Sequence, residues 1–342
     1  IGTEQLTDFS SRVIVKVPVK EGLALSGDIG FDSYSSASTD KIDRYVSSAS
    51  SSDTRVYGTF GFEKTPPGKN SSYGLKLGGS NEFDYASFSL GGHYALISAD
   101  GNRELNLTGQ AYFDRWQLIY PEELRREGPL LPTDQRRSYN LGLTYSQVIN
   151  RKLQASLTVD GIYMTGLLST PFHRVYFQEQ ELAKVEKLPD NRLKLPVGLR
   201  LNYYAADFLI ARFYFRYYWD SWGIQAQTAS LELPVKINRF FSVYPFYRYH
   251  TQTAADYFMP YKEHTLSQEF YTSDYDLAAL DSHTFGMGIR YAPVSGLARI
   301  KFPLVKGRDV LLFRGFDLRF AHYQKTPSLK ANVVSLGLNF TY

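Results

Sequence analysis

Between residues 191 and 253, charged side chains recur an even number of residues apart within each segment, which puts them on one face of successive β-strands. The set comprises Lys194, Arg200, Arg212, Arg216, Asp220, Glu232, Lys236, Arg248 and His250, and later segments add Arg290, Asp317 and Arg319. Because charge is costly in hydrocarbon, we expect these residues to line an enclosed lumen, where arginine and lysine favour anionic solutes. The alternative is a salt-bridged interior in which Arg216, Glu232 and Asp220 neutralise one another.

Catalytic and metal-binding constellations are weaker. Asp281, Ser282 and His283 are consecutive, with Asp274 and Asp276 nearby, and an Asp–His dyad can activate water. This spacing is not specific, so we expect no enzyme activity. His93 and His250 are interpreted as lumen fillers, because no second ligand lies at a metal-binding spacing beside them. No phosphate-binding loop is present, and the sequence predicts no metal and no cofactor.

The elements that must position these side chains are strands. Segments of two-residue periodicity, separated by turn residues, cover nearly the whole chain, as in LKLPVGLRLNY at 193–203. The pattern predicts an all-β fold, a transmembrane antiparallel up-and-down β-barrel of about fourteen strands. The predicted strands are 22–37, 54–64, 71–80, 83–98, 103–118, 136–149, 151–167, 191–205, 207–221, 224–236, 239–253, 283–293, 308–323 and 329–342. Pro196, Pro234 and Pro245 fall inside strands, and we expect each to mark a β-bulge.

Composition agrees with a barrel. None of the 342 residues belongs to an apolar run approaching the ~18 residues that a spanning helix needs, which argues against a helical membrane protein. Aromatic residues make up 15% of the chain, enough for belts at two membrane interfaces. The net charge of +4 is too diffuse to suggest nucleic-acid binding. The absence of cysteine is compatible with a periplasmic route.

The final segment, LKANVVSLGLNFTY, alternates an apolar face that ends in aromatics with a small, polar face. It resembles the closing strand of Gram-negative outer-membrane barrels. We interpret the chain as a mature form, with residues 22–342 as the barrel. Residues 1–21 are predicted to be an N-terminal periplasmic segment or plug, with RVIVKVPV at 12–19 either pairing outside the barrel or folding inward.

Connection lengths predict the orientation. If the C-terminus is periplasmic, the outer connections are 38–53, 81–82, 119–135, 168–190, 222–223, 254–282 and 324–328, and four of these seven are long. Short periplasmic turns and long extracellular loops are typical of outer-membrane barrels. Loop 168–190 contains QEQELAKVE, for which a short helix is predicted. Apolar residues in this loop and in loop 254–282 indicate packing into the barrel mouth or onto a partner.

Amphipathic aromatics are predicted to form two girdles at the membrane interfaces. The proposed members are Trp116, Trp219 and Trp222 at the outer ends of strands, and Tyr203, Tyr291 and Tyr342 at the inner ends. The alternative is that aromatics merely suit strands.

The stretch from LPDNRLKLPVGLRLNYYAADFLIARFYFRYYWDSWGIQ to FFSVYPFYRYHTQTAADYF, within 188–260, resembles a Gram-negative outer-membrane barrel family that carries only a domain-of-unknown-function label. The resemblance implies residence in the outer membrane and little chemistry. It also hints at an envelope complex that includes a lipoprotein.

Two function hypotheses follow from these observations. The first is a channel or transporter for a small polar solute, with anions favoured. The second is a plugged barrel that acts as a structural or assembly subunit of an outer-membrane complex. The partners expected are outer-membrane lipid and lipopolysaccharide, and a lipoprotein or other envelope protein, without nucleic acid.

Overall fold

The computed structural model describes residues 7–35, 52–120, 124–125, 131–301 and 310–341. In these ranges no helix has the length and apolar character required to cross a membrane. The strands in chain order are β1 (Asp8–Lys20), β2 (Leu23–Ser35), β3 (Ser52–Lys64), β4 (Ser71–Asn81), β5 (Tyr85–Ile97), β6 (Arg103–Gln117), β7 (Thr133–Asn150), β8 (Leu153–Gly166), β9 (Arg174–Val175), β10 (Lys184–Val185), β11 (Asn191–Ala206), β12 (Leu209–Asp220), β13 (Gln225–Glu232), β14 (Val235–Lys236), β15 (Phe241–Gln252), β16 (Leu280–Tyr291), β17 (Ala298–Lys301), β18 (Val310–Lys325) and β19 (Leu329–Thr341).

Seventeen of these strands form one antiparallel sheet, and β9 pairs with β10 separately. Along the sheet each strand pairs with its neighbours in the chain, from β1 with β2 through to β18 with β19. β13 and β14 share one position between β12 and β15, and β16 and β17 both pair with β18. The sheet therefore has fifteen strand positions. Among the described residues, no pairing joins β19 to β1. The all-β, up-and-down architecture expected from the sequence is confirmed.

The first strand was not anticipated. Residues 8–20 pair with β2 over almost their whole length, with Asp8 opposite Tyr34 and Pro18 opposite Ala24. The prediction that segment 12–19 folds inward as a plug is therefore wrong, because the segment pairs along the edge of the sheet. Pairing with β2 satisfies the backbone donors and acceptors along one edge of β1 and adds one strand to the fourteen predicted.

Apolar side chains cover the outside of the sheet instead of filling its interior. Leu141 is 72% exposed, and Ile29, Val334 and Leu336 are 68%, 68% and 63% exposed. The compact cluster of buried apolar residues is found at strand-connecting segments instead, around Trp222. This is the reverse of a water-soluble protein, and it is the distribution expected when the surrounding solvent is lipid.

The expected bulges at proline are wrong at all three positions. Pro196 lies opposite Tyr218 and Pro245 opposite Met287, both without a shift of register. Each proline lacks one donor, but the strand on its other side keeps the alignment. Pro234 lies between β13 and β14, and the pairings with β12 and β15 keep the same register on both sides of it. Register shifts occur elsewhere, for example between Phe313 and Gly315.

Two long connections, 167–190 and 253–279, fold together at one end of the sheet, and we call them the cap. Gln178 N donates to His264 O at 2.9 Å, and Lys187 and Tyr271 exchange two backbone hydrogen bonds. The short helix predicted for QEQELAKVE is wrong, because Lys184–Val185 pairs with Arg174–Val175 as a two-stranded ribbon. The apolar residues of these loops thus pack largely against each other.

Candidate functional site

Strands β11–β16, which we call the central strands, carry an excess of cations on their polar face. The strand registers place eight cations there: Arg192, Lys194, Arg200, Arg212, Arg216, Lys236, Arg248 and Arg290. Only Asp220 and Glu232 provide carboxylates on the same face of these strands. β18 adds Asp317 and Arg319. The face is therefore strongly cationic, as the alternating sequence predicts.

The predicted residues at one end of this face form a connected cluster. Arg212 Nη1 lies 2.9 Å from Glu232 Oε1, and Arg319 Nη1 lies 3.6 Å from Glu232 Oε2. The Arg319 guanidinium also lies over the ring of Phe246, at 3.8 Å from its centre. Arg200, Arg212 and Glu232 line a cavity of ≈550 Å³. One carboxylate thus serves two guanidinium groups, and the cavity retains a positive surplus.

Asp317 has a different partner. It accepts a hydrogen bond from the hydroxyl of Tyr244, which lies across Gly288 of the intervening strand. A Cβ at Gly288 would lie only 2.0 Å from the Tyr244 ring, so glycine is required for this arrangement. Among the described residues, Arg290 has no carboxylate within ion-pair distance, although it is opposite Asp317 in the register.

Arg216 is not neutralised in the way the salt-bridged alternative requires. Its Nε atom is buried and has no hydrogen-bond partner among the described residues. Glu232 is held by Arg212 and Arg319. Asp220 is held by Arg192, which the sequence analysis did not single out.

Asp220 organises the end of the face nearest the cap. Its side chain is completely buried and pairs with Arg192. Backbone N–H groups of Trp222 and Ile224 donate to Asp220 Oδ1 at 2.9 and 3.1 Å, and the Tyr218 hydroxyl donates to Oδ2 at 2.6 Å. This carboxylate therefore fixes the tight turn between β12 and β13 as well as balancing a charge.

Trp222 corrects the girdle prediction. It is 3% exposed, lies beneath the Arg192 guanidinium at 4.2 Å and packs with Leu188, Ile224 and Ala255. The prediction for Trp222 is wrong, because its ring is enclosed between the strand ends and the cap and cannot reach lipid.

Trp116 also differs from the prediction. It shares the polar face with Asp114, contacts the ring of Tyr85 edge-on and lies below the Arg136 guanidinium at 5.4 Å. Trp219, Tyr203 and Tyr291 occupy the apolar face and stay candidates for a girdle. Tyr342 lies outside the described residues.

The possible catalytic triplet does not converge. Ser282 lies opposite His250 on the polar face, whereas Asp281 and His283 alternate to the other face. The Tyr249 hydroxyl donates to Asp281 Oδ1 at 2.7 Å, and Tyr247 bonds His283 Nδ1 at 2.8 Å. His250 Nδ1 contacts Thr228 Oγ1 at 2.9 Å within the sheet wall.

The cap has a polar interior. His264 is 0% exposed, with Nε2 lying 2.9 Å from Thr272 O and Nδ1 lying 2.8 Å from Gln268 Oε1. Thr272 Oγ1 donates to Glu186 Oε1 at 2.5 Å. Burial raises the pKa of Asp274, which faces the same region.

His173 sits beside Glu186 in this interior. Burial alone would lower the pKa of His173, but the hydrogen bond and attraction to Glu186, together with Asp274 and Asp276, raise it above its ordinary value. The cap therefore gathers several acids around His173. Nothing in the periodicity of the sequence indicated this cluster, because its members come from two separate loops.

Comparison with known protein families identifies the family of this chain. The family described as "Protein of unknown function (DUF3570)" matches residues 86–300, well over half of the 342 residues. The chain belongs to this family. No curated protein matches the sequence.

Solved structures similar to this DUF3570 protein include bacterial receptors. The siderophore receptor PirA from Acinetobacter baumannii is 9% identical, with a TM-score of 0.50 over 99% of this chain and 56% of the receptor. A mutant of the ferric enterobactin receptor PfeA from Pseudomonas aeruginosa is 10% identical, with a TM-score of 0.50 over 93% of this chain and 52% of the receptor. The chain thus spans about half the length of these structures. At such identities the likeness shows the fold, that of an outer-membrane β-barrel.

The DUF3570 match contains most of the candidate site. Arg200, Arg212, Arg216, Arg248 and Arg290 all lie within residues 86–300, as do both loops of the cap. Asp317 and Arg319 lie beyond it. The cationic face and the cap therefore belong to one matched region.

Proposed function

We propose that the protein conducts a small polar solute across the outer membrane, with anions favoured. The observation that carries this proposal is the surplus of eight cations over two carboxylates on the polar face of the central strands. Arginine and lysine held in an enclosed lumen create a positive potential that concentrates anions and repels cations. The cationic path would include Arg200, Arg212, Arg216, Arg248 and Arg290, with Glu232 as a local counter-charge.

The pattern of ion pairs supports a conducting surface over a sealed one. Among the described residues, Arg200, Arg248 and Arg290 have no carboxylate within ion-pair distance, and all three are exposed on the polar face. Arg200 and Arg248 lie at one level, because the ladder runs from Arg200 through Tyr214 and Ser230 to Arg248. An interior built only for stability would be expected to pair such charges.

The proposed orientation places the cap outside the cell and the C-terminus in the periplasm. Support comes from connection length, since 167–190 and 253–279 emerge at one end while turns such as 151–152 and 207–208 lie at the other. In the same proposal the barrel has no catalytic role, because Ser282 faces away from Asp281 and His283.

Planar-bilayer conductance tests the proposal. With the purified protein in a salt gradient, we expect a reversal potential that indicates anion preference. The double variant Arg200→Gln/Arg248→Gln should reduce this preference, because it removes two unpaired charges at one level. Arg151→Gln, which removes one charge from the exposed β7–β8 turn, is the control and should leave selectivity unchanged. An absence of conductance, or a preference for cations, would contradict the proposal.

A second candidate is a structural or assembly subunit that binds an envelope protein, such as a lipoprotein. It is favoured by apolar side chains exposed on the cap: Leu182, Tyr261 and Tyr275 are 63%, 61% and 51% exposed. Exposed apolar groups on a polar loop surface are typical of protein contacts. Isolation of the complex in mild detergent tests this candidate. A stoichiometric partner that is lost in Leu182→Ser/Tyr261→Ser would support it, and a lone barrel would count against it.

A further inference from the structure

His173, Glu186 and Asp274 bring three potential metal ligands together inside the cap. One ligand atom from each residue lies within 4.8 Å of the other two. His173 and Glu186 flank the β9–β10 ribbon in loop 167–190, and Asp274 comes from loop 253–279. The cluster therefore joins two segments that are distant in the sequence, at a point where they pack against each other.

The spacing of the two nearest atoms suits a shared ion. His173 Nδ1 lies 3.4 Å from Glu186 Oε1. That is long for a charge-assisted hydrogen bond, which usually measures about 2.7–2.9 Å. It equals the separation of about 3.4 Å expected between two ligands that are each about 2.1 Å from a tetrahedral Zn²⁺.

Burial and hydrogen bonds hold the Glu186 carboxylate in a fixed orientation, as is expected of a metal ligand. Its side chain is 1% exposed. Thr170 N donates to Oε2 at 2.5 Å and Thr272 Oγ1 donates to Oε1 at 2.5 Å, so the carboxylate is fixed by one donor from each loop. Such outer contacts orient the first-shell groups of natural metal sites.

The nearby cations do not pair with the acids of the cluster. The neighbouring Asp276 pairs with Lys325 Nζ at 2.5 Å. Arg136, Arg192 and Lys194 line the same cavity of ≈210 Å³ as Glu186 and Asp274, but Arg136 pairs with Asp114, Arg192 pairs with Asp220, and Lys194 is within ion-pair distance of neither Glu186 nor Asp274. Two carboxylates and one imidazole are thus left facing each other without a lysine or arginine partner among the described residues.

We infer that His173, Glu186 and Asp274 form a three-ligand site for a divalent transition metal, best suited to Zn²⁺, that clips the two loops of the cap together. One nitrogen and two carboxylate ligands match the preferences of zinc and leave a fourth position for water. The set has too few oxygen ligands for Ca²⁺. Metal binding would stabilise the closed cap, since it depends on both loops being in place. The inference is independent of solute conduction.

Titration of the full-length, detergent-solubilised protein with Zn²⁺ against a chelating indicator tests the site. We expect one Zn²⁺ per chain, no competition by Ca²⁺, and amide protection from hydrogen exchange in both 167–190 and 253–279. Asp274→Asn, a nearly isosteric change, and His173→Gln should each weaken Zn²⁺ binding by more than about 100-fold, since loss of a ligand exceeds the 10–100-fold cost of losing an orienting group.

Asp276→Asn is the matched control, because it removes a neighbouring carboxylate that is outside the cluster, and it should bind Zn²⁺ like the wild type. Visible absorption of bound Co²⁺ provides a second readout and should change in Asp274→Asn. Strand content by circular dichroism verifies that each variant is folded. The inference is overturned if the wild type does not bind Zn²⁺ with one-to-one stoichiometry, or if folded Asp274→Asn binds it as tightly as the wild type.

Discussion

The central strands and the end strands β1 and β19 have the same alternating pattern but different surroundings. On the polar face of the central strands, Asp220, Thr228 and Ser282 are 0%, 2% and 5% exposed. On the corresponding face of the end strands, Ile14 is 63% and Val333 is 50% exposed. Alternation therefore decides which face a side chain occupies, whereas the neighbouring strands and the cap decide whether water reaches it.

This difference separates two kinds of ion pair. Arg192–Asp220 beneath the cap has side-chain exposures of 12% and 0%, whereas Arg12–Asp28 between β1 and β2 has exposures of 55% and 15%. Charges removed from water depend on each other strongly, and charges in water do not. The Arg192–Asp220 pair should therefore contribute more to the stability of the barrel than the Arg12–Asp28 pair, which lies on an open polar surface.

The largest effect is expected from Asp220→Asn. It leaves the buried Arg192 guanidinium without a counter-charge and weakens the β12–β13 turn, so we expect a loss of about 3–5 kcal/mol in the free energy of unfolding. Asp28→Asn is the matched control in the end region and should cost less than about 1 kcal/mol, because Arg12 stays solvated. Urea unfolding in lipid vesicles measures both. Equal losses of free energy in the two variants would contradict the difference between the buried and the exposed ion pair.

A smaller and more local effect is expected in the cap. Thr272→Val keeps the shape of a side chain that is 0% exposed but removes the hydroxyl that donates to Glu186. Leaving a buried carboxylate short of one donor costs about 1–3 kcal/mol. Hydrogen exchange should therefore accelerate in 167–190 and 253–279, with β1 and β19 unchanged. Thr265→Val is the control, because Thr265 Oγ1 bonds the Ser267 hydroxyl and, in the described part of the chain, no carboxylate. Acceleration across the whole sheet would show that the cap is not a separate unit.

The strands were predictable because alternation is a local property. β11 spans 191–206 against a predicted 191–205, and β12 spans 209–220 against 207–221. β1 was not predicted as a barrel strand although Val13, Val15 and Val17 alternate with Arg12, Ile14 and Lys16. Ile14 places an apolar side chain on the otherwise charged face, which weakens the alternation. The girdle prediction for Trp116 followed from its position near a strand end. Trp116 is two residues from Asp114 and therefore lies on the same face, which the charge of Asp114 indicates is polar.

The cap was not predictable from the same signals. His173, Glu186 and Asp274 come together because two loops pack against each other, and the sequences of loops have no periodicity that would indicate which residues meet. Trp222 lies in a turn, where alternation stops, so its position near a strand end could not show that the ring points inward. The helix predicted at 178–186 failed because the ribbon pairing of β9 with β10 satisfies the backbone there.

The smallest expected effect concerns access of water to the two regions. Because the chain has no cysteine, single thiols can be introduced without background. We expect Thr228→Cys on β13 to react with a water-soluble maleimide roughly tenfold more slowly than Ser335→Cys on β19, since a thiol must be exposed to react. Both should react equally in denaturant, which controls for intrinsic reactivity. If Thr228→Cys reacts as fast as Ser335→Cys in the native protein, then water reaches the polar face of β13 and of β19 alike, and the two regions do not differ in access. If Ser335→Cys is as slow as Thr228→Cys, then the polar face of β19 is occluded as well, and the end strands are not more open to water than the central strands.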